Sequence, residues 1–252
     1  MPRPSARPLR AQQCVFVPIK SSERQALLMQ HKTRDLLVRQ RTALINALRG
    51  EDIWQNSVSS RGPMGVRAAI EALRSAKDEL PTAARLAFGH IRKQIEEFDV
   101  KIAELDRIIL KWCRTDATAR RLMTIPGVGS LTASVISASV GDASEFKSAR
   151  QFSAWLGLTP RQNSSGGKEK LGGITKQGDR NIRRLLVVGA TALLRRARTN
   201  KAAFPWLVQL LERKPARLAS VAAANRLPAS HGPYCGGKRF IAQPPRDRIP
   251  PR

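Results

Sequence analysis

The stretch that decides the fold is "IRKQIEEFDVKIAELDRIILKW", residues 91–112. Its large apolar residues follow one another at alternating intervals of four and three, and they are Ile91, Ile95, Phe98, Ile102, Leu105, Ile109 and Trp112. This alternation places the side chains along one narrow stripe of an α-helix, as in a coiled coil. The segment therefore predicts a long helix, from about Pro81 to Arg114, whose stripe is covered by another helix. An ordinary amphipathic helix in a globular bundle is the alternative.

A second long helix is predicted over residues 22–49, "SERQALLMQHKTRDLLVRQRTALINALR". Ser21 or Ser22 suits its first turn, and Gly50 follows its last. This helix either folds back as an antiparallel partner of the helix at 81–114, or the chain pairs with a second copy. We expect a coiled-coil region over residues 21–114 and a homo-oligomer assembled through it.

The remaining segments differ from this region in character. Shorter apolar stretches separated by glycine and proline predict a helical C-terminal domain over residues 115–227. Residues 1–20 are expected to form a basic leader that ends in a strand-like run, "VFVPIK", and a short helix is expected over 66–77. Residues 228–252 have no periodicity and many prolines, and we expect a disordered tail. The predicted fold class is mainly α, a coiled-coil helical hairpin followed by a helical domain, with little or no sheet.

The charge of the chain indicates its partner. Forty-five lysines and arginines face nineteen acidic residues, which gives a net charge of +26 in 252 residues. Such an excess suits a polyanion, and nucleic acid is the usual one. No apolar run approaches the ~18 residues of a membrane-spanning helix, so no membrane partner is expected. A cytoplasmic location follows as the default.

The cysteines and histidines indicate neither a disulfide framework nor a metal site. They are few and far apart, and they lack the close spacing that metal ligands share. They are Cys14, Cys113, Cys235, His31, His90 and His231.

A motif for DNA-backbone contact lies at "LMTIPGVGSLTASVI", residues 122–136. An apolar helix end, Pro-Gly-x-Gly and a helix that begins with small residues together have the shape of a helix-hairpin-helix. Gly127 and Gly129 can adopt backbone angles that other residues avoid and can bring N–H groups close to a phosphate. The alternative is a purely structural turn between two helices.

A candidate for catalysis is "RQNSSGGKEK", residues 161–170. A serine that attacks a phosphate needs cations around the developing charge, and it needs a base or metal for activation. Ser164 or Ser165 would be the nucleophile, and a solvated loop without chemistry is the alternative. The glycines and cations expected to contact DNA here are Arg161, Gly166, Gly167, Lys168, Lys176, Arg180, Arg183 and Arg184.

In their order, these segments resemble the DEDD-type insertion-sequence transposases, relatives of the Piv DNA invertase. The resemblance rests on "FVPIKSSERQALLMQHKTRDLLVRQRTALINALRG" (16–50) and on the stretch from Leu122 to Ala190. It covers roughly residues 15–227. It is most specific over 122–198, where "GLTPRQNSSGGKEKLGGITKQGDRNIRRLL" resembles the C-terminal transposase domain of that family almost throughout.

The resemblance implies a two-part recombinase that exchanges DNA strands. In this family a RuvC-like domain holds Mg²⁺ with four carboxylates, and a helical C-terminal domain supplies an essential serine that forms a covalent phosphoserine link. A coiled coil supports assembly, and some members are guided by a structured RNA. On this sequence the serine corresponds to Ser165, favoured over Ser164 because it directly precedes Gly166.

The sequence also departs from the family pattern. Only fourteen residues precede the run at 15–20, and none of them is Asp or Glu, so we expect this chain to lack the carboxylate tetrad. "EDIWQNSVSS" (51–60) stands where relatives have a run resembling His-Leu-Ala-Glu-Phe. We therefore expect a truncated or frameshifted copy, with no metal in this chain and Mg²⁺ only alongside the missing domain.

Two functions remain open at this point. The first is a nucleoid-associated transposase or recombinase by resemblance, although strand cleavage by this chain alone is not expected. The alternative is a non-catalytic DNA- or RNA-binding protein that modulates an intact transposase.

Overall fold

The structure is a computed structural model that describes residues 19–51, 81–140, 146, 148–168 and 170–227. Within these residues it is mainly helical, with one two-stranded sheet, and the predicted mainly α class with little sheet is confirmed. The helices are α1 (Ser22–Glu51), α2 (Thr82–Thr115), α3 (Ala117–Met123), α4 (Ser130–Ser139), α5 (Ala149–Trp155), α6 (Arg180–Thr199), α7 (Pro205–Arg213) and α8 (Ala216–Arg226). The strands are β1 (Pro160–Gln162) and β2 (Leu171–Ile174). Most of the strand-like run at 15–20, the helix expected at 66–77 and the tail at 228–252 lie outside the described residues.

The two long helices, α1 and α2, pack against each other in antiparallel directions. Arg34 of α1 pairs with Asp106 of α2 at 2.5 Å. Arg41, seven residues later in α1, pairs with Asp99, which lies seven residues earlier in α2. Residue numbers rise along one helix as they fall along the other, which defines the direction. Of the two arrangements left open by the sequence, pairing within one chain is therefore present in the structure.

The apolar stripe of α2 faces α1 and the helices beyond it. Ile95, Ile102 and Ile109 are buried, and the other members of the stripe are partly buried. Leu48 of α1 packs with Ile95 in a small cluster at one end of the pair. Burial of a side chain of this size stabilises the fold by about 2 kcal/mol, so the stripe explains why α2 needs a helical partner.

The opposite end of the long-helix pair shares one core with the C-terminal helices. Leu27 of α1 and Ile109 and Cys113 of α2 belong to the same buried cluster as residues of α4, α6 and α8. A buried hydrogen bond of 2.9 Å between His31 Nε2 and Ser134 Oγ joins α1 to α4. The long helices are thus fixed to the C-terminal region by both apolar and polar contacts.

Helix α6 runs through the middle of this core. Asp179 caps its first turn, and the Asp179 carboxylate accepts hydrogen bonds from the backbone N–H groups of Asn181 and Ile182. Small residues allow α8 to approach α6 closely, and a hydroxyl contact of 3.2 Å between Thr191 and Ser220 lies at this contact. The buried side chains of α6 are Ile182, Leu186, Ala190, Leu193, Leu194 and Ala197.

Candidate active-site hairpin and nucleic-acid interface

The predicted helix-hairpin-helix segment contains a tight turn between α3 and α4. The backbone N–H of Val128 donates to the carbonyl of Ile125 at 3.0 Å, and Gly127 has a φ of +85°. Proline at the second position and a positive φ at the third are the features of a type II β-turn. Gly129 then caps the start of α4. The sequence Ile-Pro-Gly-Val therefore encodes the turn directly.

The two glycines of this segment face different surroundings. A Cβ on Gly127 would lie 3.1 Å from the carbonyl oxygen of Gly189, and a Cβ on Gly189 would overlap the carbonyl of Gly127. Gly127 is thus held against α6 by packing. Gly129 is exposed, and a Cβ there would meet nothing within 4 Å. Of the two predicted phosphate contacts, Gly129 at the N-terminus of α4 is the accessible one.

The serine stretch is the end of a β-hairpin. Strands β1 and β2 are antiparallel, with Pro160 opposite Ile174 and Gln162 opposite Leu171. At the tip the N–H of Lys168 donates to the carbonyl of Ser165 at 3.1 Å. The two intervening glycines have φ values of +56° and +77°, as a type I′ turn requires.

The loop considered for residues 161–170 is therefore the end of a hairpin. The strands lack the alternation of apolar and polar residues that marks a half-buried strand, because both of their faces carry exposed or partly exposed residues. The Gly-Gly pair was the signal for a two-residue hairpin turn.

The two serines of the hairpin differ in their hydrogen bonds. The Ser164 hydroxyl accepts from the backbone N–H of Lys170 at 3.0 Å and from the side chain of Gln162 at 3.3 Å. Ser165 is exposed, and its hydroxyl makes no hydrogen bond to any residue that the structure describes. Ser164 therefore supports the hairpin, and Ser165 presents its hydroxyl to solvent at the tip.

The base of the hairpin follows a helix-ending motif. The N–H of Gly157 donates to the carbonyl of Ala154, and the N–H of Leu158 donates to the carbonyl of Ser153. With Gly157 at a φ of +68°, these are the two bonds of a Schellman motif at the C-terminus of α5. The motif turns the chain from α5 directly into β1.

The predicted cations fall into two groups by their contacts. Arg161, Arg183 and Arg184 are engaged within the protein. Arg161 donates to the carbonyl of Thr175 at 3.2 Å, and Arg184 pairs with Asp35 of α1 at 2.5 Å. Arg183 is half-buried, and its Nη1 donates to the carbonyls of Leu156 and Gln177 at 2.8 and 2.9 Å.

The second group is free to meet a ligand. Lys168, Lys176 and Arg180 are exposed, and none of them forms an ion pair with a described residue. Lys176 also has a φ of +59°, which is uncommon for a residue with a side chain. These three cations lie at the tip of the hairpin, after β2 and at the start of α6.

A buried polar cluster was not singled out from the sequence. Burial, followed by the charge of Arg34, lowers the pKa of His31 to about 4, while Asp106 acts in the opposite direction. Cys113 donates to the carbonyl of Ser130, and burial raises the pKa of its thiol. The sequence did contain a signal for the burial of His31, because His31 follows Leu27 by four residues and so lies on the same face of α1.

Within the described part of the chain, no group of three or more His, Cys, Asp or Glu side chains is placed to hold a metal ion.

None of the described helices combines the length and the apolar character that crossing a membrane requires.

The segment that contains the hairpin is similar to known proteins. Residues 119–204 match the model of the Transposase IS116/IS110/IS902 family. The "Probable family 20 transposase" of Pseudomonas aeruginosa is 40% identical over 214 residues, which are 84% of this chain and 63% of that protein. The transposase for insertion sequence element IS1328 of Yersinia enterocolitica is 34% identical over 222 residues, 84% of this chain and 63% of the relative.

A third relative is the transposase for insertion sequence element IS1111A of Coxiella burnetii. It is 37% identical over 214 residues, which cover 84% of this chain and 58% of the relative. The chain thus spans about three-fifths of the length of these relatives. The chain is thus similar to insertion-sequence transposases over most of its length, and its residues 119–204, which include the hairpin, match the model of the Transposase IS116/IS110/IS902 family.

Proposed function

We propose that this chain is an insertion-sequence transposase that binds DNA and exchanges strands with Ser165 as the nucleophile. The observation that carries the proposal is the exposed Ser165 hydroxyl at the tip of a type I′ hairpin, inside the segment that matches the transposase family. The neighbouring Ser164 hydroxyl is already used to hold the hairpin. The proposal thus selects one of the two adjacent serines.

The proposed chemistry is a transfer of the DNA phosphate to the serine oxygen. Ser165 Oγ attacks the phosphorus, a P–O bond to the neighbouring deoxyribose breaks, and a phosphoserine ester forms. The hydroxyl proton goes to a base, and the departing deoxyribose oxygen takes up a proton. Attack by a deoxyribose hydroxyl of another strand then releases the serine and completes the exchange.

Activation of the serine is the demanding step, because a neutral hydroxyl is a weak nucleophile. The family resemblance implies Mg²⁺ held by carboxylates. The described residues do not offer such a ligand set, and no step is therefore assigned to a metal here. Lys168 at the tip, with Lys176 and Arg180 near the base, supplies positive charge for the phosphate oxygens.

DNA binding in this proposal is mainly electrostatic. Lys168, Lys176 and Arg180 would contact phosphates near the hairpin, and the exposed Gly129 would bring the N-terminus of α4 to the backbone. Binding to chromosomal DNA would place the protein on the nucleoid. The proposal also includes a guide RNA as a second nucleic-acid partner. It further includes a homo-oligomer in which copies of the chain associate through the α1–α2 region.

The test is covalent attachment to DNA that carries the ends of the element. The full chain is incubated with labelled DNA, with and without Mg²⁺, alone and together with an intact family transposase whose own serine is replaced by alanine. We expect a denaturation-resistant protein–DNA product that is lost in Ser165→Ala and retained in Ser164→Ala. DNA binding without such a product in any mixture would overturn the catalytic proposal and favour the non-catalytic, modulating function.

A further inference from the structure

The geometry points to Arg183 and Asn225 as positioning residues that hold the serine hairpin at a fixed angle to α6. This inference rests on the proposed role of Ser165, but it concerns residues far along the chain from that serine. Neither residue reaches the tip. Both contact the hairpin base, by which we mean the segment between α5 and β1 (residues 156–158) together with the segment that follows β2 (residues 175–178).

Arg183 joins the two ends of the hairpin. Its Nη1 donates at 2.8 Å to the carbonyl of Leu156, which precedes β1, and at 2.9 Å to the carbonyl of Gln177, which follows β2. A guanidinium is suited to this task because its donors are held in one plane and always charged. Since Arg183 is in the first turn of α6, the helix and both ends of the hairpin form one unit.

Asn225 holds the same segment from the side of α8. Its Nδ2 donates to the carbonyl of Leu158 at 2.9 Å, and its own backbone carbonyl accepts from the Ser153 hydroxyl at 2.9 Å. Leu156 and Leu158 are 0% and 1% exposed, so their carbonyls leave a buried stretch of chain. Polar groups beside a buried segment need partners, and α6 and α8 provide one each.

Close backbone packing leaves the base no room to rotate. A Cβ on Gly157 would overlap the backbone of Gln177, and a Cβ on Gly178 would overlap the carbonyl of Trp155. The N–H of Lys176 donates to the carbonyl of Gly157 at 3.0 Å. These contacts hold the two ends of the hairpin together.

For function, the contacts at the base matter because they set the position of Ser165 at the tip. Misplacement of a reacting group by about 1 Å costs on the order of a hundredfold in rate. A tilt of the hairpin moves its tip over a larger distance than its base, so a small change at the base is enough to misplace Ser165. Arg183 is half-buried with its Nη1 on two carbonyls, whereas Arg180 is exposed. Arg183 thus acts on the angle of the hairpin, and Arg180 acts on the attraction of DNA.

The experiment compares Arg183→Ala with Arg180→Ala, a matched loss of one positive charge three residues earlier on the same helix. Amide hydrogen exchange of the full chain is followed at Lys176 and Thr175. We expect exchange at these amides to rise at least about tenfold in Arg183→Ala and to stay unchanged in Arg180→Ala. Arg183→Lys, which keeps the charge without the planar fork, should give an intermediate rise with unchanged DNA affinity.

A second readout separates positioning from general stability. At saturating DNA, the rate of covalent attachment should fall about a hundredfold in Arg183→Ala. In Arg195→Ala, which removes an exposed positive charge further along α6, this rate should be unchanged. Asn225→Ala should resemble Arg183→Ala in both readouts, with a smaller effect because its hydrogen bond is uncharged.

Two results would overturn the inference. One is exchange at Lys176 and Thr175 that is the same in Arg183→Ala and Arg180→Ala. The other is a rise that extends equally to α2 and α4 in both Arg183→Ala and Arg183→Lys, which would make Arg183 a general stabilising residue. If the wild-type chain forms no covalent product, the proposed function fails, and the exchange data still decide whether Arg183 holds the hairpin.

Discussion

The interior of the protein and the tip of its hairpin each contain a serine in opposite surroundings. Ser134 is 0% exposed, donates to backbone carbonyls of its own helix and lies 2.9 Å from His31 Nε2. Ser165 is exposed, with no hydrogen bond to any part of the chain that the structure describes. By residue type alone, the Ser134–His31 pair is closer to the usual nucleophile and base.

In the proposed function, access outweighs pairing in the choice of the reactive serine. No phosphate can reach Ser134 without opening the contact of α1 with α4, and burial keeps His31 in its neutral form at pH 7. The interior pair therefore stabilises the junction of the long helices with the C-terminal region. Ser165 is accessible, and the proposed function requires its activation by groups brought to the tip.

The largest expected effect is a loss of folding stability at low pH, caused by the buried His31. The unfolded chain binds a proton at His31 near pH 6.5 and the folded chain binds it only near pH 4, so stability is full above pH 6.5 and falls as the pH drops through this window. The loss amounts to at most about 3 kcal/mol. Urea unfolding at pH 7 and pH 4 measures it.

His31→Gln is the matched control, because it retains a hydrogen-bond donor toward Ser134 without the titration. The difference between wild type and His31→Gln removes the contribution of the carboxylates common to both proteins. An equal loss of stability in the two proteins between pH 7 and pH 4 would show that His31 is not held neutral by the fold.

The next effect concerns the packing of the type II turn on α6. Gly189→Ala places a methyl group onto the carbonyl of Gly127, and overpacking of this kind costs about 2 kcal/mol. Gly89→Ala in α2 is the control, since its methyl meets nothing within 4 Å and alanine favours a helix by about 1 kcal/mol. Thermal unfolding should therefore shift in opposite directions, and a common direction would contradict the close approach of the turn to α6.

The smallest effect compares the two serines directly. Ser134→Ala leaves the His31 nitrogen without its partner and should destabilise the fold by about 1 kcal/mol. Ser165→Ala removes an exposed hydroxyl and should change the free energy of unfolding by less than about 0.5 kcal/mol. Urea unfolding of both variants checks this order, and a loss at Ser165 as large as at Ser134 would show that Ser165 supports the fold.

Much of the helical fold could be predicted from the sequence because its signals are local. The apolar stripe of residues 91–112 marked the buried face of α2. Ile-Pro-Gly-Val marked a tight turn from residue types alone. In each case the residue that decides the structure lies within a few positions of the structure that it decides.

The remaining features depend on contacts between distant segments. Arg183 was expected to contact DNA, and nothing near it in the sequence shows that its guanidinium donates to the carbonyls of Leu156 and Gln177. The position of Gly189 inside a helix likewise has no local explanation, because the space that requires it is occupied by Gly127. The choice of Ser165 over Ser164 rested on the resemblance and stays a prediction; the hydrogen bonds that Ser164 accepts come from Gln162 and from Lys170, and the latter is eight residues away from the former in the chain.

The central claim is tested most directly by locating the covalent link to DNA. Trypsin cleaves after Arg161 and Lys168, so both candidate serines fall in the single peptide "QNSSGGK", residues 162–168. After covalent capture of element-end DNA and nuclease digestion, fragmentation of this peptide in the mass spectrometer distinguishes the two positions. A phosphoester on Ser165 is the predicted result, whereas an adduct on Ser164, on another peptide, or none at all would contradict the account.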